Sequence, residues 1–403
     1  MVLFGTSSEP DASLLDLPHP GKDAAQHSQS VSSSIQQEIT KQQGTIDFCT
    51  YMNLALYEPG LGYYSAGPIK LGQSGDFITA PDLSPVFSLC LTQQLYQILN
   101  EIDHGTILEI GPGSGAMASE ILQELERLDC LPEEYLLLER SADLRERQKE
   151  KINAEIPHLS GIIRWLDQLP EEKFNGIIIA NEVIDALPVH RFVLENHEIK
   201  ELRVGYKNGN FTWNKTTPGN DLLGEIEIEL SNVKEVLPEG YTSEINIRLA
   251  SWINTFSELL LKGVILLIDY GYTRQEYYHP QRTEGTLLCH YRHRVHSDPF
   301  FYPGLQDITS SVNFSKIAEA AVDAELDVCG FTTQAHFLIA CGLEAIVARL
   351  SSENEIDQAK LSSQVRTLVM PVEMGERFKV IGLKKNFDTS LIGFQFIDHR
   401  ARL

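Results

Sequence analysis

Five short apolar runs, each separated from the next by helical stretches or a longer insertion, constrain this chain more than any other feature. TILEIG (106–111), YLLLER (135–140), IIRWL (162–166), GIIIANEV (176–183) and GVILLIDYG (263–271) place apolar residues at consecutive positions rather than alternate ones. A strand that is apolar on both faces is covered on both faces, the condition of a parallel sheet between helical layers. AMASEILQELERL (116–128), between the first two runs, has its apolar residues at helical spacing and reads as a crossover helix. Strand and helix in alternation predict a doubly wound α/β domain. ELDVCGFTTQ (325–334) and FKVIGLKK (378–385) add two later strands.

Around this frame the chain divides by composition. Residues 1–35, rich in Ser, Gln, Asp and Pro, read as a disordered lead-in without the layout of a secretory signal or a mitochondrial presequence. Residues 36–100 read as a helical region with a Gly/Pro-rich loop in its middle. Residues 191–254 break the α/β pattern: FVLENHEIKELRVGYKNGNFTW alternates and carries the turn pairs Glu195-Asn196 and Asn208-Gly209, an antiparallel β-rich insertion. The main domain is then 101–190 together with 255–403.

A net charge of -23 excludes general affinity for nucleic acid or anionic lipid. No run approaches the apolar length of a membrane span. The six cysteines form no CxxC pair, so reduced packing cysteines and a cytoplasmic location are expected, with no metal site. The histidines between His290 and His296 lack carboxylate or cysteine at ligand spacing and leave that expectation unchanged.

LEIGPGSGAMASEIL sets Gly111, Gly113 and Gly115 after a strand and before a helix, where backbone can approach a nucleoside-like ligand. A dinucleotide needs N–H donors around its pyrophosphate, and Pro112 removes one. Glu109, two residues ahead of the loop, suits a cation better than a phosphate. Glu139, closing the second run, can take both ribose hydroxyls. Acid on both sides of the loop favours S-adenosylmethionine, which carries a sulfonium and no phosphate, over NAD. Upstream, GQSGDFITAPDLSPVF (72–87) opens a helix that Asp82 or Ser84 could cap.

YMNLALYEPGLGYYS, GDFITAPDLSPVF, EIGPGSG, ANEVIDALPVHRF, IDYGY and GTLLCHYRHRVHSDPFFYPGLQDIT, in this order over about residues 40–385, resemble the MidA-like methyltransferases. These are bacterial and mitochondrial relatives of the complex I assembly factor that methylates a protein arginine. The resemblance implies a class I methyltransferase, a Rossmann-like seven-stranded sheet with an inserted substrate-side region. It also implies that Gly75, Asp76 and Thr79 join the glycine loop in holding the cofactor, and that the acidic end of the fourth strand lies beside the donor methyl. Where relatives continue the D-I-T stretch with histidine and aspartate, this chain has Ser311 and Asn313.

Asn181, Glu182 and Asp185 occupy that strand end. The Asn/Asp-Pro-Pro-Tyr motif of enzymes that methylate bases or amides is absent, and two carboxylates suit a cationic substrate instead. A guanidinium is planar, always charged and able to pair bidentately with carboxylate. The reading is therefore a protein-arginine N-methyltransferase, with Glu182 and then Asp185 as the clamp and a respiratory complex I subunit as a partner. An assembly chaperone with little methyl transfer and a small-molecule methyltransferase are the alternatives. A homodimer is left open.

Overall fold

The computed structural model describes residues 17–65, 78–102, 105–352 and 357–403. Numbered along the chain, the seven main strands of the central sheet are β1 (Thr106–Ile110), β2 (Glu134–Leu138), β3 (Ile163–Leu166), β4 (Phe174–Asn181), β5 (Leu260–Tyr272), β6 (Asp327–Thr333) and β7 (Phe378–Lys385), and a two-residue eighth, Val312–Asn313, pairs in parallel with the end of β5. The order of these seven across the sheet is β6-β7-β5-β4-β1-β2-β3. β3, β2, β1, β4 and β5 pair in parallel, while β7 runs antiparallel to both β5 and β6. The strand order reverses between β1 and β4, and ligands of such sheets bind beyond the carboxyl ends of the strands there.

The unbroken apolar runs follow from two cores. Ile107, Ile177, Ile179, Val264 and Leu266 face one, beneath the helices Pro85–Ile102 and Ala116–Arg127. Leu108, Ile178, Ile265 and Leu267 face the other, beneath Leu249–Leu259 and Phe314–Asp323. Among the described residues no single helix is long and apolar enough to cross a membrane.

Three expectations about the flanking regions need correction. Residues 1–16 lie outside the described residues, but the rest of the expected lead-in is structured: a helix spans Lys22–Lys41. Its Val31, Ile35 and Ile39 are buried against Tyr51, Met52 and Tyr63. Nor is the insertion separate from the N-terminal region. Thr45–Asp47 pairs antiparallel with Glu198–Lys207, with Ile46 opposite Val204, inside one five-stranded sheet. The insertion also holds a helix, Asn220–Ser231. Its first turn lies one residue later than the sequence suggests: Asn196 and His197 both take positive φ (54° and 60°), the pairing a tight hairpin demands. Asn208 and Gly209 (52° and 88°) turn where expected.

The His/Arg-rich segment forms a small sheet of Leu288–Tyr291, Arg294–His296 and Asp307–Thr309. Arg292 and His293 make its hairpin turn at positive φ.

Candidate active site

All three glycines after β1 adopt left-handed backbone, with φ of 64° at Gly111, 55° at Gly113 and 77° at Gly115. Only glycine enters that region without strain. The turn closes through Gly115 N–H donating to the Pro112 carbonyl at 2.8 Å, and Gly111 N–H donates across to the Leu138 carbonyl at 3.1 Å. A Cβ at Gly111 would sit 3.0 Å from Val183, and one at Gly115 would sit 3.2 Å from Gln148. The loop is thus seated between the turn that follows β4 and the helix Ala142–Glu155.

Gln148, fully buried on that helix, ties the loop to the end of β2. Its side-chain amide donates to the Gly113 carbonyl at 2.9 Å and to Glu139 Oε2 at 3.3 Å. Its Oε1 accepts from the Trp165 indole at 3.1 Å. Glu139 Oε1 accepts from Ser141 N–H at 2.8 Å, and burial raises this carboxyl above its usual range. Glu109 is placed differently from the expectation. It is buried within β1 and accepts from the Tyr135 hydroxyl at 2.6 Å, so its carboxyl is engaged by the neighbouring strand rather than presented at the loop. Burial pushes it up to about 7, against the pull of that hydrogen bond.

Gly75 and Asp76 lie outside the described residues. Thr79 precedes the short helix Ala80–Leu83, and its hydroxyl donates to Asp82 Oδ2 at 2.9 Å. Asp82 Oδ1 in turn accepts from the Ser114 hydroxyl of the glycine loop at 2.5 Å. Asp82 therefore joins the two cofactor-side motifs, beyond the capping role that sequence allowed it.

The end of β4 meets the same segment from the other side. Glu182 Oε1 accepts from the Ala80 backbone N–H at 3.3 Å and from the Asn181 side-chain amide at 3.2 Å. Glu182 is half-buried and holds a positive φ of 52°, a conformation uncommon outside glycine and asparagine. Asp185 is buried, and its backbone is fixed by Asp269 at the end of β5. Asp269 Oδ2 accepts from the Ile184 and Asp185 N–H groups at 2.9 and 3.1 Å, and its Oδ1 accepts from Tyr270 N–H at 2.8 Å. Tyr57 and Tyr64 stack at 5.4 Å beside this turn, and the Tyr57 hydroxyl donates to the Ala186 carbonyl.

Three carboxyls thus crowd one strand end. Burial first, then the nearby Asp185, pushes Glu182 up to about 8. Burial likewise raises Asp185 and, with Asp185 as a like charge, Asp269. Asp269 accepts three backbone N–H groups, so it is the better home for a charge within that pair. Asn181 Oδ1 is buried without a hydrogen-bond partner among the described residues, while Asp185 Oδ1 and the Tyr270 hydroxyl form no well-aligned bond but lie close enough for the phenol to draw the Asp185 carboxyl down against its burial. No lysine or arginine among the described residues forms an ion pair with Glu182 or Asp185. Buried carboxyls without a counter-charge are costly. Taking up a proton relieves that cost, which is the direction in which burial moves both Glu182 and Asp185.

Hydrogen bonds join these motifs: Gln148 links Gly113 to Glu139, Asp82 links Ser114 of the glycine loop to Thr79, and the neighbouring Ala80 donates to Glu182 beside Asn181. Sequence reasoning did not single out Gln148 or Asp269, although Asp269 stands in the quoted IDYGY. Ser311 donates its backbone N–H to the Thr286 hydroxyl, and Asn313 caps the helix Phe314–Asp323 while donating to Glu229.

Three comparisons bear on this geometry. Residues 90–332 match a family model described as "Putative S-adenosyl-L-methionine-dependent methyltransferase". Protein arginine methyltransferase NDUFAF7, mitochondrial, of Danio rerio is 28% identical over 391 residues, covering 86% of this chain and 87% of that protein. The Homo sapiens protein of that name is 27% identical over 382 residues, covering 85% and 81%. A Burkholderia thailandensis protein crystallised bound to S-adenosyl-homocysteine is 38% identical, with a TM-score of 0.91 over 96% of this chain and 100% of that one.

Proposed function

The chain belongs to this family of S-adenosyl-L-methionine-dependent methyltransferases, and from that premise we propose that its acceptor is the guanidinium of an arginine in a protein. The left-handed glycine turn, packed so closely on Gln148 that a Cβ at Gly115 would crowd it, and the Glu139 carboxyl suit an adenosyl group without phosphates. Bound there, the donor supplies an electrophilic methyl group on a sulfonium.

The observation that carries the acceptor is the uncompensated pair Glu182 and Asp185. Glu182 and Asp185 grip two guanidinium nitrogens and draw the positive charge toward themselves, so the third nitrogen regains lone-pair character. Most of the acceleration then comes from position and electrostatics, since the chain makes no covalent bond to the acceptor. Methylating a guanidinium releases one proton. Glu182, held up to about 8 in the free protein, is suited to receive it. The relatives' printed name supports arginine, and the resemblance to the complex I assembly factor directs the search for the target to basic segments of a respiratory-complex subunit.

The test is to incubate cell extract with this protein and methyl-labelled donor, then to identify the modified residue by mass spectrometry. Methylarginine on a discrete protein is the expected result. Label confined to small molecules would overturn it, and tight partner capture without label would favour an assembly chaperone.

A further inference from the structure

Away from the acids and the glycine loop, the fold brings together three side chains that the chemistry above does not use. Asp47, Cys49 and His190 place a carboxylate oxygen, a thiol sulfur and an imidazole nitrogen within 4.8 Å of one another. Asp47 ends the strand Thr45–Asp47, Cys49 stands in the first turn of the helix Phe48–Tyr57, and His190 begins the strand His190–Glu195. Cys49 is buried, and the other two are half-buried at the edge of the cluster. His190 belongs to the same ANEVIDALPVHRF stretch that supplies Glu182 and Asp185.

Ordinary packing explains only part of this arrangement. Asp47 caps its helix with one oxygen, Oδ1, which accepts from Thr50 N–H at 2.7 Å. The Cys49 thiol has a long contact to the Pro188 carbonyl, at 3.7 Å. His190 Nδ1 lies 3.4 Å from Glu201 Oε1, and Glu201 Oε2 accepts from Arg203 at 3.3 Å. A buried carboxylate behind one ring nitrogen, here Glu201, is the second layer found behind metal-bound histidines, and the Cys49 thiol and Asp47 carboxylate lie near the same ring.

We propose that Asp47, Cys49 and His190 form a zinc site, with His190 ligating through Nε2, Cys49 as thiolate, and solvent in the fourth position. Sulfur, nitrogen and oxygen together suit zinc. Zinc bonds of about 2.0–2.3 Å put tetrahedral ligand atoms roughly 3.3–3.8 Å apart, so side-chain rotation of about an ångström closes the present cluster onto an ion. On binding the thiol proton leaves to solvent, and so does a proton of the His190 ring, which, against the pull of burial, hydrogen bonds to Cys49 and Glu201 keep protonated up to about 9. The ion would pin the start of the Phe48–Tyr57 helix to the chain that leaves the acidic turn, through Cys49 on one side and His190 on the other.

Cobalt(II) is the probe, because a thiolate ligand gives it a charge-transfer absorption that oxygen and nitrogen ligands do not. The full chain, stripped with chelator under reductant, should take up one equivalent of cobalt with that absorption, and zinc should bleach it. Cys49→Ser should abolish the band. His190→Ala and Asp47→Asn, the latter keeping an oxygen for the helix cap, should each weaken cobalt binding at least about tenfold, and Glu201→Gln roughly 10- to 100-fold. S-adenosyl-homocysteine binding within about twofold of the parent certifies that each variant is folded, independently of any methyl acceptor. Absence of the band in the parent protein at saturating cobalt overturns the site, as does its persistence in folded Cys49→Ser. Should Cys49→Ser not bind S-adenosyl-homocysteine, unchanged cobalt affinity in His190→Ala overturns it.

Discussion

Asp269 holds the backbone of Asp185: its Oδ2 accepts the Asp185 N–H at 3.1 Å, while the Asp185 carboxyl keeps a buried oxygen without a well-aligned bond among the described residues. One acid is committed to shaping the turn, which leaves the other available to an incoming cation. Asp269→Asn turns an NH2 group toward N–H donors, leaving at least one donor unmatched. The expected cost is about 1–3 kcal/mol of stability, read as a lower denaturant midpoint at unchanged slope. Methyl transfer should fall with it, because the Asp185 side chain is no longer aimed. An Asp269→Asn protein with parental stability would show that the turn does not depend on this carboxylate.

Gln148 should act on the donor and not on the acceptor. Gln148→Met keeps similar bulk but removes the bonds to Gly113, Glu139 and Trp165. Roughly tenfold weaker binding of S-adenosyl-homocysteine is expected by calorimetry, the loss of about 1.4 kcal/mol. Turnover at saturating donor should stay near the parental value. Unchanged affinity would mean that Glu139 and the glycine loop need no help from this helix.

Much of this is legible in the residues themselves. Apolar runs on both faces gave the parallel strands, and Gly111, Gly113 and Gly115 marked the loop because a strand precedes them and a helix follows. The Lys22–Lys41 helix was hidden because its buried stripe is only Val31, Ile35 and Ile39 among serines and glutamines, so composition masked an i, i+4 pattern. Gln148 and Asp269 act by reaching across 35 and 84 residues to Gly113 and Asp185. No local pattern encodes such contacts.

That helix carries its own prediction. Removing residues 1–16 alone should leave the buried Val31, Ile35 and Ile39 in place, whereas removing residues 1–41 takes all three away from Tyr51, Met52 and Tyr63. Fully burying each such side chain is worth about 1.5–3 kcal/mol, so the longer deletion should cost on the order of 5 kcal/mol or more and lower the thermal midpoint sharply. Equal midpoints for the longer deletion and the full chain would show that the helix contributes nothing to the fold.

Glu182→Gln separates the clamp from a solvated strand end. Glutamine still accepts from the Ala80 N–H but carries no charge. If Glu182 grips a guanidinium, methyl transfer to the protein acceptor should drop about a hundredfold, the loss of roughly 3 kcal/mol from a charge-assisted pair. S-adenosyl-homocysteine affinity should move less than twofold. Asp185→Asn should also lower transfer, and the double variant should lose less than the sum if both grip one group. Near-parental turnover in Glu182→Gln would remove the clamp.

The same substitution should reveal itself through pH without any acceptor. In the unfolded chain the Glu182 carboxyl titrates near 4.5; in the folded protein it is pushed up to about 8. Between those values the native state holds a proton that the unfolded state has released, so this contribution to stability falls as pH rises. It is fully present below about 4.5 and gone above about 8. Glutamine cannot titrate. Parent and Glu182→Gln should therefore have similar stability at acidic pH, and the variant should gain steadily on the parent up to about pH 8. Given the partial exposure of this side chain, the gain should reach about 2 kcal/mol rather than the full value of the shift. For catalysis the sign is opposite: the clamp needs the carboxylate, so acceptor binding by the parent should tighten as pH rises toward about 8. Urea unfolding of both proteins across this range decides the matter. Parallel curves would place Glu182 in water, where a strand end needs no proton.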